Sequence, residues 1–417
     1  MMRKFVLSSF VIMLAVGLLI PLANATELIV NSMHSDPLSK ETFAAIVAEF
    51  EKQNPDIKVN VNTAAHEEFK KSVRLWLASD TQPDVITWFA GNRAMFFVEK
   101  GLIMDISDVW QDAGLMEKFP KAFQSISFKD GKAYFLPDTY YWWAIYYRKS
   151  IFEKYSLAEP KNWEELLKVC ATLKENNIAP FAIGTKFPWT AAAWFDYLDM
   201  RVNGPAFHMD LMFGKVKYDD PRVAAVFEYW GELVKNGYFL ENAASYAWQE
   251  AVQFLVRGEA AMYLMGQFIL DTVPEDVRGD MDFFQFPVIN PDVPMGEDAP
   301  TDGYMIPLKA KNVDAAKKFL KFLSSPDAQR IQVEKVGRIV TNTEIPLDLY
   351  PPATQKGIEM MKGVDAVAQF YDRDTVPEMA DKGMNAFMEW WFNPDTLADI
   401  LSRLEKERER IFKQEQE

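Results

Sequence analysis

Apolar residues in the first part of the chain recur in two alternating patterns, one typical of strands and one typical of helices. Short apolar runs predict strands at residues 27–31, 57–62 and 83–87. Between them, apolar positions at helical spacing predict helices at residues 39–52, with Ser39 as the N-cap, and 67–79. Strands that alternate with helices at this spacing indicate right-handed βαβ units and a parallel sheet. The predicted fold class is therefore α/β.

The rest of the chain carries the same two patterns. They predict a strand at residues 133–137 and an amphipathic helix at 163–176 with Asn162 as its N-cap. Further predicted helices lie at residues 221–235, 247–258, 313–324 and 326–336 and from Pro394 onward. A chain of 417 residues is too long for one compact core, which indicates two domains. The sequence has no low-complexity linker, so we expect short crossings between them.

Residues 1–25 have the three parts of a secretory signal peptide. Arg3 and Lys4 form a short positive region, residues 10–20 are an apolar run, and residues 23–25 form a small-x-small cleavage site. The apolar run is shorter than the roughly 20 residues that span a bilayer. We therefore predict a signal peptide that is cut before Thr26, rather than a membrane anchor.

Cysteine content and net charge limit the compartment and the partners. The single cysteine, Cys170, cannot form an intramolecular disulfide, and it lies far from the predicted cut, where a lipid anchor would need one. We therefore expect a free protein in a Gram-negative periplasm, with no direct membrane anchor. Removal of Arg3 and Lys4 with the signal changes the net charge from −15 to −17. A chain this acidic repels nucleic acid and anionic lipid, so neither is an expected partner.

The sequence lacks the common catalytic motifs. Its 19 glycines are never spaced two, four or five positions apart, which excludes GxGxxG, GxSxG and the Walker-A loop. It has three histidines and neither HExxH nor CxxC, so we expect no catalytic zinc site. We therefore predict no cofactor, no metal and, apart from the glycoside hydrolase considered below, no enzymatic activity.

Aromatic residues make up 14% of the chain, and many of them stand at predicted strand ends and in loops rather than in periodic core patterns. These are Trp88, Phe89, Tyr140, Tyr141, Trp142, Trp143, Trp189, Trp194, Phe195 and Trp248. In α/β sheets, ligands bind beyond the carboxyl ends of the strands. A flat apolar ring at such a place matches the CH face of a pyranose, although core packing remains the alternative for any single tryptophan.

Polar residues at the same predicted strand ends could accept or donate hydrogen bonds to sugar hydroxyl groups. Asp36, Glu67 and Asp302 are acidic, and Glu67 would also suit the first turn of a helix. The pair Gly266–Gln267 ends an apolar run and either lines a cleft or forms a plain turn. The charged loop at residues 372–374 is either functional or solvated surface.

Several sequence stretches resemble one known family, the extracellular solute-binding proteins of carbohydrate ABC transporters, also called the maltose-binding-like group. The stretches are GKAYFLP at 131–137 with its continuation to 152, PKNWEEL at 160–166, the PDV that starts at Pro83, GEAAM at 258–262, and 317–329. The resemblance covers the chain after the predicted signal. Arg148 stands where the family usually has Asn, at a position that is structural in the family.

The resemblance implies a fold like that of the type II periplasmic binding proteins, with two α/β lobes that close on a ligand around a hinge. Lobe one would hold residues 26–138 and 301–343, and lobe two residues 139–300 and 344–417. The closed form would dock on the membrane permease of an ABC importer, and we expect the binding protein to act as a monomer. The resemblance also places candidate ligand-binding residues on this sequence: His34, Asp36, Trp88, Asn92, Tyr140, Trp189, Trp248, Gly266, Gln267, Asp302 and Arg373.

The expected function is capture of a sugar, from mono- to oligosaccharide, and two alternatives stay open. A secreted glycoside hydrolase would need two positioned carboxylates, and 60 acidic residues leave such a pair open. A binding protein for a non-sugar would need carboxylates for a polyamine or cations for a phosphodiester. The mixed polarity of the aromatic loops favours a hydroxyl-rich ligand, while Arg93, Lys186 and Arg373 leave an acidic sugar open.

Overall fold

The computed structural model describes residues 25–414. Its strands are β1 (Thr26–Ser32), β2 (Ile57–Thr63), β3 (Val85–Phe89), β4 (Phe128–Lys129), β5 (Lys132–Ala133), β6 (Leu136–Tyr140), β7 (Trp143–Arg148), β8 (Ala179–Phe181), β9 (Ala260–Gly266), β10 (Met281–Phe284), β11 (Gly296–Asp298), β12 (Thr301–Met305), β13 (Ile339–Val340) and β14 (Ala366–Ala368). Its α-helices are α1 (Pro37–Gln53), α2 (His66–Ala78), α3 (Asn92–Glu99), α4 (Ser107–Asp112), α5 (Leu115–Lys118), α6 (Lys121–Ser125), α7 (Lys149–Lys154), α8 (Trp163–Glu175), α9 (Trp189–Val202), α10 (Pro205–Met212), α11 (Pro221–Lys235), α12 (Trp248–Val256), α13 (Glu275–Arg278), α14 (Val313–Leu323), α15 (Pro326–Val336), α16 (Pro352–Lys362), α17 (Tyr371–Asp374), α18 (Pro377–Phe392) and α19 (Leu397–Gln414).

The first large sheet has six strands in the order β13-β6-β12-β3-β1-β2. β1 is parallel to both β2 and β3, which confirms the predicted βαβ units. β12 runs antiparallel to β3 and β6, so the sheet is mixed rather than wholly parallel. β3 begins two residues later than predicted and ends at Phe89, and this end of the sheet faces the second lobe.

The second sheet has four strands in the order β10-β7-β9-β8. β7 is antiparallel to β9 and β10, while β8 is parallel to β9. The chain leaves the first sheet after β6 and enters the second at β7, then returns at β12. This gives the predicted two-lobed α/β fold. β6 stays in the first sheet as far as Tyr140, and the exact lobe boundaries stay a prediction.

Each sheet is buried under helices that present apolar residues to it. In the first lobe, Phe50 of α1 packs edge-on against Phe319 of α14, with ring centroids 4.9 Å apart. In the second lobe, Phe195 of α9 stacks on Phe387 of α18 at 4.4 Å. α18 and α19 follow the last strands in sequence yet pack on this second lobe, so its core draws on both the middle and the end of the chain.

Two predicted helix caps have different outcomes. Asn162 does cap α8, because its side-chain oxygen accepts a hydrogen bond from the backbone N–H of Glu165 at 3.0 Å. Ser39 is not the cap of α1, since that helix begins earlier, at Pro37. The hydroxyl of Ser39 instead lies 3.2 Å from Nδ1 of His34, which holds the loop between β1 and α1 against the helix.

The predicted signal peptide falls almost wholly on residues 1–24, which lie outside the described residues. Among residues 25–414, no helix combines the length and the apolar character that a membrane crossing requires.

Candidate functional site

A cavity of about 110 Å³ lies between the two lobes. The first lobe contributes the loop after β1, the start of α2, the end of β3 and the start of β12. The second lobe contributes the start of β7, the first turns of α9 and α12, the 3-10 helix Gln267–Asp271 and the segment around α17. On the first-lobe side, the parallel strands β1 and β3 meet the cavity with their carboxyl ends, which is the usual place for a ligand on such a sheet.

The structure brings a subset of the predicted ligand-binding residues together. Six of them line the cavity, namely His34, Asp36, Trp189, Trp248, Asp302 and Arg373. Five do not line it, namely Trp88, Asn92, Tyr140, Gly266 and Gln267. Trp88, Tyr140 and Gln267 each precede a residue that does line the cavity, namely Phe89, Tyr141 and Phe268.

Trp88 and Asn92 lie near the cavity but point elsewhere. Successive residues of a strand face opposite ways, and Trp88 of β3 points away from the cavity into the lobe-one core while Phe89 lines the cavity. The indole Nε1 of Trp88 donates to the backbone oxygen of Arg93 at 3.1 Å. Asn92 donates from Nδ2 to the backbone oxygen of Asp374 and therefore joins the two lobes.

Tyr140, Gly266 and Gln267 are placed by packing around the crossings between the lobes. The ring of Tyr140 packs against Phe123 at 5.1 Å. A Cβ atom at Gly266 would lie 2.5 Å from the Phe268 ring, so glycine is required there for close packing. Gln267 is buried and donates from Nε2 to the backbone oxygen of Gly337 at 2.8 Å, which ties a lobe-two turn to the end of α15.

The cavity also contains side chains that were not predicted as ligand-binding. They are Met33, Ser39, Thr42, Phe43, Ile46, His66, Lys70, Phe89, Thr139, Tyr141, Trp143, Gln249, Phe268, Pro300, Gln332, Val336, Arg338, Phe370 and Asp372. Phe89, Tyr141 and Trp143 belong to the aromatic loops that the sequence marked. No local sequence signal marked Arg338 or Phe370, which lie on either side of a crossing between the lobes.

The second lobe covers its side of the cavity with aromatic rings. Trp143 stacks on Phe370, with centroids 4.9 Å apart and an angle of 29°. Trp189 meets Trp143 edge-on at 6.1 Å. Trp248 meets Phe268 edge-on at 5.2 Å. These contacts fix the rings in a continuous apolar wall, and all of them are at least partly buried.

Arg373 lies at the centre of the polar part of the cavity. Its guanidinium donates to Oδ1 of Asp302 and to the hydroxyl of Tyr141, at 2.9 Å each, and to the backbone oxygen of Thr301 at 3.2 Å. It also lies 4.3 Å from the centroid of the Phe89 ring. Its charge is therefore neutralised by a carboxylate of the opposite lobe.

The other cations of the cavity are paired in the same way. Arg338 forms an ion pair with Asp271. Lys70 lies 3.3 Å from the carboxylate of Glu67 and 3.8 Å from that of Asp372. The cavity consequently contains charged groups that are largely compensated by each other.

The two histidines of the cavity are held neutral by their surroundings. Burial, reinforced by the charge of Arg338, lowers the pKa of His34 to about 4. Burial, reinforced by Lys70 and Arg373, holds the pKa of His66 well below its usual value. A neutral imidazole carries one donor and one acceptor, which suits a hydroxyl group.

The comparison that identifies the family covers most of the chain. Residues 36–330 match the model of the bacterial extracellular solute-binding proteins. The chain belongs to this family. The resemblance seen in the sequence is thereby confirmed, and the family consists of solute-binding proteins rather than enzymes.

Relatives with this fold include transporter components and sugar receptors. The ABC transporter extracellular-binding protein PH1214 of Pyrococcus horikoshii is 28% identical over 328 residues, 77% of this chain and 73% of that protein. The solved structure of the bacterial solute receptor AcbH, which has an exclusive substrate preference for β-D-galactopyranose, is 31% identical. Its TM-score is 0.88, and the match covers 93% of this chain and 99% of AcbH.

A more distant structure shows how widely this solute-binding fold is used. A chitin oligosaccharide binding protein is 21% identical with a TM-score of 0.84, over 93% of this chain and 99% of that one. At this identity the likeness concerns the fold alone. We conclude that this chain is an extracellular or periplasmic solute-binding protein of the ABC transporter type.

Proposed function

We propose that this solute-binding protein captures one neutral sugar ring between its lobes and delivers it to the membrane permease of an ABC importer. The observation that carries the proposal is the wall of Trp143, Trp248 and Phe370 opposite a rim of compensated polar groups. The rings suit the CH face of a pyranose, and the polar groups suit its hydroxyls.

The size of the cavity favours a single ring. A water molecule needs roughly 10–15 Å³ in the same measure of volume. The cavity of about 110 Å³ therefore accommodates a ligand on the order of ten water-sized atoms, which is the size class of one pyranose. The preference of the similar receptor AcbH for β-D-galactopyranose supports the same ligand class.

The charges of the cavity favour a neutral ligand. An acidic sugar would need a cation without a partner, yet Arg373 is paired with Asp302 and Arg338 with Asp271. Lys186, which had left an acidic sugar open, is exposed and outside the cavity lining. A polyamine would need several free carboxylates, whereas Asp302 and Asp372 are engaged by arginine and Asp36 is the one cavity carboxylate without an ion pair among the described residues.

The compartment is part of the proposal. We infer that residues 1–25 direct export and that the mature chain begins at Thr26 and is free in the periplasm. The test is the mass of the protein recovered from an osmotic-shock fraction. A mass that includes residues 1–25 or an added lipid would overturn this part.

Titration of the purified protein with a panel of ligands tests the binding function. The panel contains D-galactose, D-glucose, D-xylose, maltose, D-glucuronate and putrescine, and tryptophan fluorescence is the signal. We expect saturable binding of a neutral single-ring sugar. A response to putrescine or glucuronate with none to neutral sugars would overturn the proposal, and reducing ends released from oligosaccharides on long incubation would favour a hydrolase.

A further inference from the structure

A groove of about 470 Å³ lies directly outside the ligand cavity. It is lined by the apolar side chains of Phe96, Phe97 and Phe187, and by several charged residues of α2. Three side chains line both the cavity and the groove, namely Lys70, Trp189 and Asp372. These three, together with Glu67, stand between the two spaces, and we call the four side chains the partition.

The partition is held together by contacts between the lobes. The indole Nε1 of Trp189, from lobe two, donates to Oε1 of Glu67, from lobe one, at 3.0 Å. Lys70 bridges the two sides because its Nζ lies 3.3 Å from Glu67 and 3.8 Å from Asp372. Arg93 of lobe one forms an ion pair with Asp372 and fixes that carboxylate in place. Since the contacts cross the cleft, the partition is complete only when the lobes are closed.

We propose that the partition limits the ligand to a single ring, and that Glu67 and Lys70 are specificity-determining residues. This inference rests on the proposed sugar-binding function. A second ring joined to the first must leave the small cavity, and on this side it would have to displace Glu67 and Lys70 from their partners in the other lobe. Without the partition, the groove and its aromatic side chains adjoin the cavity and offer space for the second ring.

The double variant Glu67→Ala/Lys70→Ala tests this role, and α2 offers a matched control. Glu68 and Lys71 form the same kind of pair one position along, 3.1 Å apart, and their side chains are 67% and 69% exposed. They make no contact with the second lobe among the ion pairs and hydrogen bonds of the described residues. Glu68→Ala/Lys71→Ala therefore removes equal charge from the same helix and shortens one side chain that lines the groove, Lys71, but leaves the partition intact.

The readout is the ratio of two dissociation constants measured by calorimetry, one for a disaccharide and one for its component ring. The probes are D-galactose with lactose and melibiose, and D-glucose with maltose and cellobiose. In the wild type we expect a ratio of about a hundredfold or more in favour of the single ring. In Glu67→Ala/Lys70→Ala we expect the ratio to fall by about tenfold or more, while the control keeps the wild-type ratio.

The outcomes separate this inference from the proposed function. A wild type that binds none of these probes and no neutral sugar of the titration panel overturns the proposed function. A wild type that binds disaccharides as tightly as single rings, or a double variant that keeps the wild-type ratio, overturns the partition and leaves sugar binding in place. Trp189→Phe, which removes the indole donor together with part of the ring, gives a second test if the double variant unfolds, and its ratio should fall in the same direction.

Discussion

Arg373 of the second lobe donates a hydrogen bond from Nη1 to Oδ1 of Asp302 on the first lobe, over 2.9 Å. The two side chains are 8% and 20% exposed, so water screens this pair weakly. Both line the ligand cavity. One ion pair therefore contributes to the closed arrangement of the lobes and to the polar face of the cavity.

Replacement of Arg373 by methionine should weaken sugar binding strongly. The variant leaves Asp302 without its cation and removes the donor to Tyr141, and loss of one partner of a buried charged pair typically costs about 2–5 kcal/mol. We expect the dissociation constant to rise by about a hundredfold, as measured by fluorescence titration. Arg257→Met is the control, because the pair of Arg257 with Glu259 is about half exposed. Equal losses in both variants would contradict the prediction.

Alanine at Gly91 should weaken binding by keeping the lobes apart. Gly91 has φ +80°, and a Cβ atom there would lie 2.7 Å from the backbone oxygen of Arg373 in the other lobe. Separation of the lobes relieves this contact, so we expect a lower affinity and a larger radius of gyration in solution scattering with sugar present. Gly101→Ala is the control, because it has φ +64° and open space around its Cβ. Normal closure of Gly91→Ala on sugar would contradict the prediction, and equal losses of affinity in both variants would mean that backbone strain alone explains the effect.

Removal of the Trp248 ring should reduce affinity without unfolding the protein. Its ring lines the cavity as part of the aromatic wall, and a ring contact of this kind contributes about 0.5–1.5 kcal/mol beyond the area it buries. Trp248→Leu should therefore raise the dissociation constant by about tenfold. Phe392→Leu, at a ring that is 62% exposed, should leave the dissociation constant unchanged.

Sugar affinity should be constant at neutral pH and fall in acid. Burial lowers the pKa of His34 to about 4. The imidazole therefore stays neutral in the closed form at pH values near 6.5, where an exposed imidazole takes up a proton. Below that pH, protonation of His34 stabilises the open form relative to the closed form, and sugar affinity falls. The fall ends near pH 4, where His34 is protonated in both forms. We expect the ratio of dissociation constants between His34→Gln and the wild type to be constant above about pH 7 and to change below it. A constant ratio down to about pH 5 would contradict this assignment.

Asp298 should make the protein less stable as the pH rises. Burial, together with the carboxylates of Asp374 and Glu297, holds the pKa of Asp298 well above its usual value. The unfolded chain loses this proton first, so the free energy of unfolding falls with rising pH by about 1.4 kcal/mol per unit between the unfolded and folded pKa. Asp298→Asn removes this contribution.

The measurement for Asp298 is urea unfolding between about pH 5 and pH 8. The stability of Asp298→Asn relative to the wild type should increase with pH. The exposed Asp276 provides the control, since Asp276→Asn should show no such trend. A relative stability that is independent of pH would mean that Asp298 is ionised in the folded protein.

The predictions from sequence succeeded where the pattern is local. The helices α11 and α15 have the predicted bounds, and the Asn162 cap follows from one residue and its neighbour three positions on. The strand β3 shows what a local pattern does not predict, namely the direction of each side chain, because this strand is buried along its whole length. An apolar strand with two buried faces does not reveal whether Trp88 or Phe89 faces the cleft.

The cavity residues that the sequence did not mark depend on contacts between distant parts of the chain. Arg338 stands between α15 and β13, a two-residue edge strand of the first sheet, and Phe370 precedes α17. Arg338 reaches the cavity from this edge of the first lobe, and Phe370 reaches it after the chain has crossed to the second lobe beyond β13. Prediction of these residues would require the three-dimensional arrangement of the crossings.

The segment around α17 has a kinetic consequence. Asp372 and Arg373 hold Arg93 and Asp302 of the opposite lobe, and the same two residues line the cavity. Separation of the lobes therefore breaks these ion pairs and opens the cavity in a single event. The residence time of the sugar should follow the frequency of that event. A permease that pulls this short segment away from the first lobe would therefore release the sugar without any contact between permease and sugar.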